Sequence, residues 1–99
     1  MTFQNETPPH YHFIGIGGIG MSGLALALLK QGCTVSGSDI SQNDNIKKLK
    51  ESGATIFQEH SEKWIKPSHS IVYSSSIKED NPEYIAAKKF NCQIFHRSD

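Results

Sequence analysis

Residues 12–23 read HFIGIGGIGMSG, and no other stretch restricts the possible folds as tightly. Gly15, Gly17 and Gly20 satisfy G-x-G-x-x-G between a short apolar run, YHFIGI (11–16), and a longer one that starts at Ile19. In a strand-to-helix turn the first glycine permits the tight bend and the second lets a diphosphate reach the backbone. The third lets helix and strand pack closely. The helix start beyond them offers unpaired N–H groups and a partial positive charge to an anion. Gly18, Met21 and Ser22 belong to the same bend and first turn, and the Ser22 hydroxyl is a further candidate donor. The pattern predicts a phosphate-binding strand–helix unit. It does not say whose phosphate.

Strand-like and helix-like segments alternate along the rest of the chain. The expected order is strand 11–16, helix 19–31, strand 34–39, helix 44–53 and strand 54–58. A short turn through Trp64 and Pro67 follows, then strand 70–75, helix 81–90 and strand 92–95. Gly32 suits a left-handed helix end. Asn81 followed by Pro82 marks a helix start. Such alternation implies an α/β fold with a parallel sheet and right-handed crossovers. The predicted architecture is Rossmann-like: three layers, doubly wound, five strands in the order 3-2-1-4-5, with the glycine loop at the switch point. Residues 1–10 read as a flexible tail and 11–99 as one domain. HRSD follows the fifth strand directly, where a doubly wound unit normally runs on into another helix or a linker, so the sequence reads as cut rather than finished.

Composition narrows the function classes. Ten basic side chains balance ten acidic ones, which argues against a nucleic-acid footprint. The longest apolar stretch, around residues 24–29, is too short to span a bilayer, and the N-terminal residues lack a signal-peptide pattern. Cys33 and Cys92 lie far apart without CxxC pairing, so they read as buried, reduced thiols in a cytoplasmic protein. His10, His12, His69 and His96 show no metal-ligand spacing, and no metal site is expected. Lys47, Lys48 and Lys50 read as the wet face of a helix.

Asp39 stands 19 residues after Gly20, near where Rossmann folds place a carboxylate on a ribose hydroxyl; Ser38 stands beside it. Ser74, Ser75 and Ser76 stand at the carboxyl end of the fourth strand, across the crevice from Asp39. No G-x-x-x-x-G-K-[ST] occurs, so no ATP γ-phosphate site is written here, and no catalytic acid–base grouping stands out. On the loop alone, an NAD-binding domain of a dehydrogenase or a regulatory module remains open beside other nucleotide binders. A non-enzymatic nucleotide sensor is a third reading.

HFIGIGGIGMSGLA, GSD and SSSIKEDNPE, taken together, resemble the N-terminal domain of the Mur ligases over roughly residues 11–97. The resemblance implies that Gly15 to Ser22 hold the diphosphate of UDP-N-acetylmuramate. It places Ser38 and Asp39 near the uridine, Ser74 to Ser76 on the other wall, and His60 near the uracil. It also implies that ATP and Mg2+ serve further domains of the full-length enzyme. There the lactyl carboxylate is phosphorylated and the amine of L-alanine attacks the acyl phosphate, in peptidoglycan synthesis. This segment is then expected to bind substrate without converting it. One departure is Ser76, where the family usually carries alanine.

Overall fold

The structure, a computed structural model, describes residues 8–97. Its elements are β1 (His10–Ile14), α1 (Ile19–Lys30), β2 (Thr34–Ser38), α2 (Asp44–Glu51), β3 (Thr55–Phe57), a one-turn 3-10 helix (Glu62–Trp64), β4 (Ser70–Ser74), α3 (Pro82–Lys89) and β5 (Gln93–Arg97). All four strand pairings are parallel, in the order β3-β2-β1-β4-β5, as the alternation predicts. β1 starts at His10, one residue inside the expected tail, and residues 1–7 of that tail lie outside the described residues.

The sheet is covered on both faces. On one, Phe13, Val35 and Val72 meet Met21 and Ala25 of α1 and Ile46 and Leu49 of α2. On the other, Ile14 and Ile71 meet Ala86 and Ala87 of α3 and Ile65 behind the 3-10 turn. α2 buries only Ile46 and Leu49, one turn apart, and its lysines face solvent. Ile16, just past β1, lies over β2: a Cβ on Gly37 would sit 2.6 Å from the Ile16 Cβ, so this contact requires glycine at residue 37.

All three helices stop the same way. The residue after each C-cap is left-handed: Gly32 (φ 88°), Gly53 (φ 109°) and Asn91 (φ 56°). The next amide reaches back to the helix: Cys33 N–H to Leu28 O, Ala54 to Leu49 and Cys92 to Ala87, at 3.1, 3.0 and 3.0 Å. This is the Schellman arrangement, which satisfies orphan carbonyls and turns the chain back toward the next strand. Asn43 and Asn81 start α2 and α3, their side-chain oxygens accepting amides of the first turn.

The thiols depart from expectation: Cys33 and Cys92 are free but only half-buried. Burial is still what pushes the Cys92 thiol above its ordinary value. Trp64 is packed, its ring 3.9 Å from and nearly parallel to that of Phe57, its indole N–H donating to the Glu59 carbonyl.

Candidate functional site: a cavity at the strand ends

A cavity of about 570 Å³ opens at the carboxyl ends of β1, β2 and β4, where neighbouring crossovers leave in opposite directions. Gly15, Gly17, Gly18, Gly20 and Met21 form its floor; Asp39, Ser41 and Asn43 line one side, and Ser74–Ile77 the other. His60 closes it beyond β3.

The floor is shaped by backbone chemistry. Gly15 takes φ 81°, which a side chain would disfavour, and the amides of Gly15 and Ile16 both donate to the Ser38 carbonyl, at 2.8 and 3.0 Å. Gly18 caps α1 without a side-chain hydrogen bond, and no acidic side chain stands in the first turn. The first amide bonded inside the helix is Ser22 N–H, to Gly18 O. The amides ahead of it are the orphan donors of a helix start, beside the cavity floor.

Asp39 ties the floor to the wall. Its Oδ2 accepts the Gly17 amide at 2.7 Å and its Oδ1 the Ser41 amide at 2.8 Å. Each carboxylate oxygen keeps a lone pair for a further donor. The role of Gly17 changes accordingly: a Cβ there would lie 2.7 Å from Asp39 Oδ2 and 3.1 Å from Ile46 Cδ1. Gly17 admits its own aspartate closely, and its amide is already engaged. On the opposite wall the Ser74 and Ser76 hydroxyls bond each other at 2.8 Å, so the unusual Ser76 is anchored within the loop. Ser75 is exposed.

Two expected residues lie elsewhere. Ser22 is buried and does not line the cavity. Ser38 is fully buried: its strand position points the side chain to the opposite sheet face from Gly37, under α3, away from any ligand in the crevice. There it joins a network that sequence reasoning missed. Glu83, on α3, has no exposed surface, and its carboxylate sits among four partners. Oε1 accepts from His12 Nε2 at 2.6 Å and from the Ser38 hydroxyl at 2.9 Å. Oε2 accepts from the Ser61 amide and meets His60 Nδ1, both at 3.1 Å. The Ser36 hydroxyl continues the chain, 2.7 Å from both His12 Nδ1 and His10 Nε2. His10 stacks on His69 with centroids 3.9 Å apart. Burial first, and then the neighbouring His10, His12 and Lys66, lower the His69 ring to about 4. Burial, His12 and Lys66 also push His10 below its ordinary value.

A signal for this network exists in the sequence. Glu83, Ala86 and Ala87 share one helical stripe, and Ser36 and Ser38 share one face of a buried strand. Ser41, Asn43 and Ile77 were likewise not anticipated in the lining; Asn43 carries a visible helix-cap signal.

Comparison with known proteins settles the lineage. The family model described as "Mur ligase family, catalytic domain" matches residues 10–99. The chain belongs to the Mur ligase family. Among its relatives, the UDP-N-acetylmuramate–L-alanine ligase of Protochlamydia amoebophila is 58% identical over 90 residues, covering 91% of this chain and 20% of that protein. The corresponding ligase of Hydrogenobaculum sp. is 53% identical over 89 residues, 90% of this chain and 20% of its own length. The crystal structure of UDP-N-acetylmuramate–alanine ligase from Thermotoga maritima superposes with TM-score 0.83 at 34% identity, over 89% of this chain and 20% of that one. This Mur ligase chain thus spans about a fifth of the length of the relatives it matches. Among its described residues no helix is long and apolar enough to cross a membrane, and no His, Cys, Asp or Glu cluster could hold a metal ion.

Proposed function

We propose that this chain is the UDP-N-acetylmuramate-binding N-terminal domain of a UDP-N-acetylmuramate–L-alanine ligase in cytoplasmic peptidoglycan synthesis. The diphosphate lies over the start of α1, the ribose hydroxyls reach Asp39, the uracil lies toward His60, and Ser74–Ser76 flank the other side. The observation that carries this reading is the convergence of the glycine loop, Asp39, His60 and the serine loop on one cavity. The names of the relatives supply the particular nucleotide. In the full-length ligase ATP and Mg2+ act in other domains. The lactyl carboxylate displaces ADP from the γ-phosphoryl group, and the L-alanine amine then attacks the acyl phosphate, releasing phosphate and forming the amide. This domain supplies grip and orientation, which lower the barrier by holding the carboxylate for reaction.

Titration with UDP, UDP-N-acetylmuramate and NAD, read on the amide resonances of residues 15–22, tests the reading. UDP compounds are expected to shift these signals at concentrations where NAD does not; a preferential response to NAD overturns it. The clean blocking variant is Gly18→Val rather than a change at Gly17. A Cβ at Gly18 meets only ordinary contacts, the nearest being Met21 Cγ at 3.6 Å, so the added bulk enters the cavity without displacing Asp39. A folded Gly18→Val protein should lose at least tenfold in UDP affinity, about 1.4 kcal/mol.

A further inference from the structure

We propose that Glu83 is a positioning residue for base recognition: it holds His60 as the Nδ1–H tautomer, so that Nε2 presents a hydrogen-bond acceptor to the cavity. The inference rests on the nucleotide reading above and deepens it.

Hydrogen counting around His60 assigns the ring. Ser38 has one hydroxyl proton, and the ionised Glu83 Oε1, 2.9 Å away, can only accept it. Toward His60 Nδ1, 2.9 Å away, the Ser38 oxygen therefore offers only lone pairs. Glu83 Oε2, 3.1 Å from the same nitrogen, already takes the Ser61 amide and is itself an acceptor. Two acceptors converge on Nδ1, so Nδ1 must carry hydrogen. In the neutral ring Nε2 is then bare. His60 is 24% exposed and lines the cavity, whereas Glu83 is fully buried. The carboxylate acts on a ligand only through the ring it orients. His12 braces it from behind, since its Nε2–H occupies Oε1 and keeps the carboxylate from rotating away.

An acceptor at this wall discriminates among bases by the hydrogen on their pairing edge. Uracil carries N3–H between two carbonyls and satisfies a bare Nε2. Cytosine has a lone pair at the same ring position, and two facing lone pairs repel. The chain is therefore expected to favour UDP over CDP by about tenfold or more, the usual scale for a mismatched buried hydrogen bond.

The test pairs two measurements on the isotope-labelled chain. The 15N shifts of the His60 ring nitrogens read the tautomer directly, and titrations with UDP and CDP read the selectivity. In the wild type, Nδ1 is expected to be protonated, against the preference of free histidine for Nε2–H, and UDP is expected to bind more tightly. Glu83→Ala should shift the ring toward Nε2–H and shrink the UDP/CDP ratio to within about twofold, mainly by weakening UDP. Glu83→Gln keeps an acceptor beside the Ser61 amide and His60 Nδ1 but sets its NH2 against the His12 and Ser38 donors, so it should cost stability yet keep a larger UDP/CDP ratio than Glu83→Ala. A merely structural role for Glu83 would weaken both nucleotides alike and leave the tautomer unchanged, which overturns the proposal. An Nε2–H ring or equal UDP and CDP affinities in the wild type also overturns it, and needs no variant to fold. If neither UDP nor CDP binds the wild type, the nucleotide reading itself falls and takes the base role with it. That outcome is distinct from equal binding, which spares the nucleotide reading.

Discussion

Under α1 and α2 the sheet meets Phe13, Ile16, Val35, Ile46 and Leu49, all apolar and buried. Under α3 and the 3-10 turn, the β4 side is also apolar, but the β1–β2 side presents His12 and Ser38 to Glu83, with Ser36 bonded behind His12. Among the described residues every buried side-chain nitrogen and oxygen has a partner, so this polar layer is complete. The two faces do different physical work. An apolar layer gains free energy in proportion to area and tolerates some rearrangement. A closed hydrogen-bond network adds little net stability, yet it fixes which atom donates and which way each ring points. Here the second kind of order leads, through His60, to the cavity.

The contrast can be broken most forcefully from the apolar side. Phe13 is fully buried in the α1–α2 layer, and Phe13→Ala should cost about 3–5 kcal/mol in urea unfolding. What remains folded should keep its UDP/CDP preference; a changed preference would show that the faces are not separable. The next effect belongs to the polar face and is read by pH. The folded His69 ring, lowered to about 4, holds its proton more weakly than the unfolded chain, where the ordinary value is 6.5. Acid therefore charges the unfolded state first, and stability should fall as pH drops from about 6.5 toward 4. His69→Asn should flatten that part of the profile, and an unchanged slope would remove the histidine cluster as its source. The smallest effect is expected from Asn81→Ala, which removes the side-chain acceptor of the Glu83 and Tyr84 amides and should cost about 1 kcal/mol. If α3 is what holds the carboxylate in place, this variant should also narrow the UDP/CDP ratio slightly, whereas Phe13→Ala should not.

The fold was largely legible because its signals are local. Glycine spacing, the Asn81–Pro82 start and left-handed positions such as Gly32 each act within a few residues. Only element ends moved, by one or two residues, where fraying and caps compete. The cavity lining was legible where backbone position alone places a residue, as at Gly15, Asp39 and Ser74. It failed where a side chain had to choose a face. Ser38 next to Asp39 reads as a ligand contact, yet strand alternation turns neighbouring side chains to opposite sides. The Glu83–His12 pairing spans 71 positions, and no local pattern encodes it. The contact of Gly17 with Asp39 was hidden for a similar reason, because the group its missing side chain admits lies 22 residues away.

The shared way in which α1, α2 and α3 end carries a consequence for how this fold could be altered. At the sheet's amino edge β2, β3 and β5 are entered through one repeated joint, in which the left-handed residue sets the angle and only one of three is asparagine. Exchanging Asn91 for glycine, or lengthening the exposed bend at Gly53, should leave the cavity untouched. At the carboxyl edge each connection differs from the next and touches the cavity, so the same edits there would rewrite what the domain holds.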